Sequence, residues 1–208
     1  MNIFFIIVVI VACYLIGSIP TAYLVVKKFA QKDITQLGSG NIGTMNVHRA
    51  TESKPLALLV LLSDMAKGAM AVVLAKTVLS AAPMAPVLTT AAVVLGHNYS
   101  IYMRFRGGRG LATAAGALIV YSPLLLLTWL VIWIVPYLLS KILVVGTLTA
   151  TVLNPVAAYV LNRPPSEVIF AAVISVIVLL RHISKVKMLI RGTEPKKYWK
   201  IRNEKHTS

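Results

Sequence analysis

Long apolar stretches divided by short polar ones set the pattern of this chain. Seven apolar segments follow one another: Ile3 to Val26, Leu56 to Leu79, Val87 to Met103, Leu111 to Tyr121, Leu124 to Leu139, Leu143 to Leu161 and Val168 to Leu180. Several approach the roughly 20 residues that a helix needs to cross the hydrocarbon core. Leu111 to Tyr121 is short, and Ser122-Pro123 parts it from Leu124 to Leu139. One helix through both would run for 29 residues, overshoot a bilayer and lose a hydrogen bond at Pro123. Two helices meeting at a turn are therefore predicted. The pattern predicts an all-α polytopic membrane protein with seven transmembrane helices.

Composition agrees with this class. Of 208 residues, 58% are hydrophobic and 13% charged, with a mean hydropathy of +0.80, far from the soluble mix. The first apolar run is longer than a signal-peptide core and has no basic flank before it, so it is expected to remain as the first helix. The single Cys13 lies within that run. No disulfide, metal site or cofactor is indicated.

Charge sets the expected orientation. With loops assigned alternately, one side receives Lys27, Lys28, Lys32, Arg49, Lys54, Arg104, Arg106, Arg109, Lys141 and the basic stretch from Arg181, while the other receives Arg163. The positive-inside rule then puts the N-terminus outside and the C-terminus in the cytoplasm. An odd number of spans fits this, which supports the division at Ser122-Pro123. The net charge of +15 is topological and faces lipid headgroups; no nucleic-acid module is present in the pattern. Residues 1–196 are read as the membrane domain and 197–208 as a basic cytoplasmic tail lying on anionic headgroups.

Two polar clusters interrupt the apolar pattern. Ser39 to Arg49, S-G-N-I-G-T-M-N-V-H-R, combines glycines with Asn41, Asn46 and Arg49. Glycine lets backbone amides approach a ligand closely, and the amide and guanidinium side chains are donors that suit a small anion. Arg104 to Gly110, R-F-R-G-G-R-G, repeats flexible backbone with fixed positive charge. Within the spans, Asp64 and Lys67 are three apart and share a helix face, where they neutralise each other. His97 and Asn98 fall just before the arginine loop and are expected to serve function. Trp129 and Trp133 face lipid or a neighbouring helix. No G-x-S-x-G elbow, Cys–His pair or paired carboxylate is apparent, so the chemistry reduces to positioning and to stabilising an anion.

In order and spacing, Ser39-Gly40-Asn41, Gly43, Asn46 and Arg49, then Gly96-His97 with F-R-G-G-R-G, then His182 with G-T-E-P-K ending at Lys196, resemble the three cytoplasmic motifs of the PlsY family. D-M-A-K-G at Asp64 to Gly68 matches a further stretch of that family, and the likeness runs from about Gly17 to Lys196. Arg106 and Arg109 stand where the family usually has lysines, Lys185 where it has an asparagine and Met188 where it has an arginine.

The resemblance implies seven helices, a cytoplasm-facing site in the cell membrane, and transfer of a fatty acyl group from acyl phosphate to the 1-hydroxyl of sn-glycerol 3-phosphate. The products are lysophosphatidic acid and phosphate, the first acylation of phospholipid synthesis, with a substrate phosphate taking the proton. It also implies Ser39, Asn41, Arg49, Arg106 and His182 as catalytic residues. Gly40, Gly43, Asn46, His97, Gly107, Gly108, Arg109 and Lys185 would bind substrate. A monomer among membrane lipids is expected. Two alternatives remain: a paralogue acylating another polyol phosphate, and a membrane anion transporter, which would favour a paired internal repeat that the chain does not display.

Overall fold

The computed structural model describes residues 3–80 and 82–193; Lys196 and the tail at 197–208 lie outside the described residues. Among the described residues every regular element is helical. The elements are α1 (Ile3–Ser18), α2 (Thr21–Ala30), α3 (Thr44–Thr51), α4 (Lys54–Val78), α5 (Ala85–Asn98), α6 (Leu111–Tyr121), α7 (Pro123–Ser140), α8 (Leu143–Val160) and α9 (Pro165–Ile190). Among the described residues, five stretches are long and apolar enough to cross a membrane: Ile3–Ala30, Lys54–Val78, Pro123–Ser140, Leu143–Val160 and Pro165–Ile190. Leu111–Tyr121 is a shorter apolar helix.

The first apolar run is not one straight helix. Pro20 has no N–H to continue the ladder, so the chain breaks at Ile19-Pro20 and restarts as α2. The carbonyls freed at the break find partners elsewhere: Lys67 Nζ donates to the Ile19 carbonyl at 2.6 Å, and the Ser100 hydroxyl donates to the Ser18 carbonyl. The division at Ser122-Pro123 is present as predicted. There the Ser122 hydroxyl donates to Glu167 at 2.6 Å, and Arg163 grips the same carboxylate through two bonds of 3.0 and 2.8 Å.

Small residues bring the inner helices together. Side chains added at Gly68 of α4 or Gly116 of α6 would strike the backbone of the facing helix, so α4 and α6 pack at backbone distance. The core gathers Val72, Val93, Leu125, Phe170 and Val178 from α4, α5, α7 and α9. By contrast, α7 turns Leu127, Val131, Ile134 and Leu138 outward, as a lipid-facing helix does.

Two polar segments differ from the expected loops. Residues Thr44–Thr51 form a helix, so Asn46 and Arg49 are carried on a rigid element rather than a flexible one. The last helix continues to Ile190, well past Leu180, and therefore carries Arg181, His182, Lys185 and Met188 along its own surface.

Candidate active site

The first wall is a loop wrapped around one amide. Asp33 accepts from the Thr35 amide at 2.9 Å and from its hydroxyl at 2.7 Å, which closes the turn Ile34–Gln36. Those two bonds hold the Asp33 carboxyl below its ordinary pKa. Asn46 is buried; its Nδ2 donates to the carbonyls of Ile34 and Leu37 at 3.3 and 3.0 Å, and its Oδ1 accepts from the Ser39 amide at 2.8 Å. Gly38 is at a φ of 58°, and a side chain there would run into the Asn46 carboxamide. Asn46, expected at the phosphate, is instead the peg on which the loop hangs.

The second wall is the arginine loop. Arg104 and Phe105 both adopt positive φ, 52° and 60°, which turns the chain back onto the end of α5. The Gly108 amide donates to the His97 carbonyl at 2.9 Å. A side chain on Gly107 would meet the carbonyls of His97 and Asn98, and one on Gly108 would meet the His97 ring. From α9, Arg181 reaches across to this loop: Nη2 donates to the Gly107 carbonyl at 2.9 Å and Nε to the Gly108 carbonyl at 3.0 Å. Its guanidinium also lies over the Tyr99 ring, 5.0 Å from the centroid.

Between the two walls is a polar cleft of about 270 Å³, lined by Thr35, Ser39, Gly40, Asn41, Ile42, Met103, Arg106, Gly107, Arg109, Arg181 and Ser184. Six of the residues singled out in the sequence meet there: Ser39, Gly40, Asn41, Arg106, Gly107 and Arg109. Gly43, Asn46, Arg49, His97, Gly108, His182 and Lys185 are outside its lining. Gly43 opens α3, and Arg49 stands on α3 beside Gly38. His182 is buried, with Nδ1 2.8 Å from the Val178 carbonyl, within electrostatic reach of Arg109, Lys185 and Arg181. Lys185 is buried too, its Nζ 3.7 Å from the Met188 sulfur.

Sequence reasoning missed Thr35, Arg181 and Ser184. Arg181 was counted only as part of the basic stretch, and its position next to His182 was the available signal. An Asp two residues before a Thr, as at Asp33 and Thr35, is a local turn signal.

A buried polar cluster supports the cleft from below. Asp64 is 2.9 Å from Lys67 Nζ and 3.6 Å from His97 Nδ1, and it accepts from the Thr21 hydroxyl. The Asp64–Lys67 pair read from the sequence is therefore one edge of a larger group that includes His97. Through His97 this cluster adjoins the Gly107-Gly108 backbone.

Three guanidinium groups and two glycine loops around one cleft form a site for anionic groups, set at an end of a helical membrane bundle. Among the described residues, no His, Cys, Asp and Glu side chains gather in threes as a metal site would require. The fold and cleft define a helical membrane protein with a positively lined polar cleft. The family model described as glycerol-3-phosphate acyltransferase matches residues 7–192. The chain belongs to that family and is an acyltransferase.

Its relatives bear the same description. A glycerol-3-phosphate acyltransferase of Methylobacillus flagellatus is 42% identical over 188 residues, covering 90% of this chain and 94% of the relative. Glycerol-3-phosphate acyltransferase 2 of Moorella thermoacetica is 38% identical over 186 residues, covering 89% and 94%. The crystal structure of PlsY, an integral membrane glycerol 3-phosphate acyltransferase in its glycerol 3-phosphate form, superimposes with a TM-score of 0.82 at 29% identity, covering 91% of this chain and 94% of that one. The lysophosphatidic acid form of the same enzyme gives a TM-score of 0.81.

Proposed function

We propose that this enzyme moves a fatty acyl group from acyl phosphate to the 1-hydroxyl of sn-glycerol 3-phosphate. The hydroxyl oxygen bonds to the acyl carbon, the bond from that carbon to the phosphate oxygen breaks, and a substrate phosphate takes the hydroxyl proton. Lysophosphatidic acid and phosphate leave. The observation that carries this reading is the cleft itself: Arg106, Arg109 and Arg181 surround one polar space beside Ser39 and Asn41, with no thiol in its lining. An acyl phosphate is already activated, so donors that stabilise the departing phosphate are what the reaction needs.

In this reading Arg106 and Arg109 hold the donor phosphate, Ser39 and Asn41 orient the reacting groups, and Lys185 and His182 support the acceptor from α9. Arg49 acts on phosphate from α3, Gly43 and Asn46 hold the first loop in shape, and His97 with Gly108 holds the second. Seven crossings of the cell membrane are proposed, with the N-terminus outside and the cleft, C-terminus and residues 197–208 at the cytoplasmic face. The support is the excess of Lys and Arg on the cleft side. The working unit is a monomer.

The test is phosphate release by purified protein in detergent, with coenzyme A and acyl carrier protein omitted. Phosphate that appears only when acyl phosphate and glycerol 3-phosphate are both present supports the reading. Release independent of the acceptor, or faster acylation of another polyol phosphate, overturns the proposed acceptor.

A further inference from the structure

A second cavity, of about 240 Å³ and largely apolar, lies among α4, α6, α7, α8 and α9, lined by Leu61, Leu111, Trp129, Thr151, Phe170 and Val178 among others. Two elements tie it to the polar cleft. On α6, Leu111 comes two residues after the cleft residue Arg109; on α9, Val178 lies three residues before the cleft residue Arg181. Lining residues Val178, Ile174 and Phe170 recur every four positions along one face of α9. At a rise of 1.5 Å per residue, the pocket therefore extends roughly 12 Å below Val178.

We propose that Phe170, in the wall of this pocket, sets the length of the acyl chain the enzyme accepts. The proposal rests on the acyl-transfer reading above and adds its specificity. Its wall suits an alkyl chain. Trp129 Nε1 donates to the Thr151 hydroxyl at 3.2 Å, and Ser175 donates to the Thr151 carbonyl at 2.7 Å. Asn154, also in the lining, accepts from the Thr128 hydroxyl at 3.1 Å, so these polar groups have partners within the protein.

Phe170 is completely buried and stacks on Tyr121, with ring centroids 4.4 Å apart and planes 20° apart. Tyr121 is itself covered by the Lys76 ammonium, 5.8 Å from its ring centroid. A ring held in this way cannot swing aside without breaking its stack, so it forms a hard stop. On α6, the small side chains of Ala112 and Ala115 keep the space above it open.

The experiment compares kcat/KM for lauroyl, palmitoyl and stearoyl phosphate in wild type, Phe170→Ala, Phe170→Leu and Ala115→Leu, with thermal unfolding to confirm folding. Burying even two more methylenes corresponds to about a tenfold gain. Phe170→Ala should therefore raise the stearoyl-to-lauroyl ratio by about that factor, Phe170→Leu by less, and Ala115→Leu should lower it. An equal change at every length in both Phe170 variants overturns the ruler while leaving acyl transfer intact.

A binding measurement reads the pocket without turnover. Lysophosphatidic acid brominated near its chain end should quench fluorescence in wild type, and that quench should fall in Trp129→Phe. An unchanged quench in Trp129→Phe places the chain elsewhere and overturns the proposal. A wild type that releases no phosphate from any acyl phosphate overturns the donor reading alone, since the quench still reports the pocket.

Discussion

The guanidinium of Arg181 binds the carbonyl of Gly107 at 2.9 Å and, through Nε on the same edge, the next carbonyl along. One side chain from the last helix thus fixes the backbone of a loop more than seventy residues earlier in the chain. Because a planar fork makes both bonds, Lys cannot replace it. Arg181→Ala and Arg181→Lys should each lower kcat/KM by about tenfold or more, at roughly 1.5–3 kcal/mol for bonds from a charged donor. Steady-state phosphate release checks this, and full activity in Arg181→Lys would show that charge alone suffices.

Arg106 and Arg109 line the cleft and stand where the PlsY family usually has lysines. Lys should be tolerated at both positions, with less than about tenfold loss, whereas Ala or Glu should remove most turnover. The same assay checks it. Equal losses on Lys and Ala substitution would mean the fork geometry is required there as well.

Asn41 and Asn46 should separate cleanly. Asn46, itself buried, makes three bonds to the backbone of the loop, so Asn46→Ala should destabilise the protein by roughly 2–4 kcal/mol at about 1 kcal/mol or more per bond. Asn41, in the cleft wall, should leave thermal unfolding unchanged on replacement by Ala while raising KM or lowering kcat. Matched unfolding temperatures in the two variants would contradict this division.

Lys185 tests the acceptor side. Lys185→Asn restores the residue usual in the family and should preserve or lower the apparent KM for glycerol 3-phosphate with kcat little changed. A rise in that KM, with better use of another polyol phosphate by wild type, would point to a rebuilt acceptor pocket.

The Asp64 cluster should behave as a buried ionic group. Asp64→Asn leaves Lys67 without its charge partner and should cost about 3–5 kcal/mol, because an uncompensated buried cation remains. Adding Lys67→Met to Asp64→Asn should recover part of that loss in a denaturation series. No recovery would locate the cost in the contacts of Asp64 with Thr21 and His97 instead.

Apolar run lengths and Pro123 made most of the helices legible in advance, including the break at Ser122-Pro123. The break at Ile19-Pro20 was carried by the same signal and was masked by unbroken hydropathy on both sides. In the site, glycines among amide side chains marked the first wall and glycines next to arginines the second, since close backbone approach and fixed donors leave traces in local sequence. Residues that act across long separations left none. The meeting of Asp64 with His97 depends on the crossing of α4 and α5, and the reach of Arg181 to Gly107 depends on where α9 passes the loop. The role of Asn46 reversed for a related reason: its residue type announces hydrogen bonding but not whether the partner is ligand or backbone.

The break at Ile19-Pro20 also bears on biogenesis. The Ile19 carbonyl is met by Lys67, a residue synthesised 48 positions later. Until α4 emerges, the Ile19 carbonyl at the broken end of α1 has only the nearby Thr21 amide, at 3.0 Å, as its partner, and a Lys67 arriving without Asp64 would resist insertion. Delivered together, helix and counter-charge settle each other. The N-terminal part of the chain, through α4, is thus suited to enter the bilayer as a coupled hairpin rather than one span at a time, with the stretch that becomes the first wall of the cleft held at the hairpin's tip.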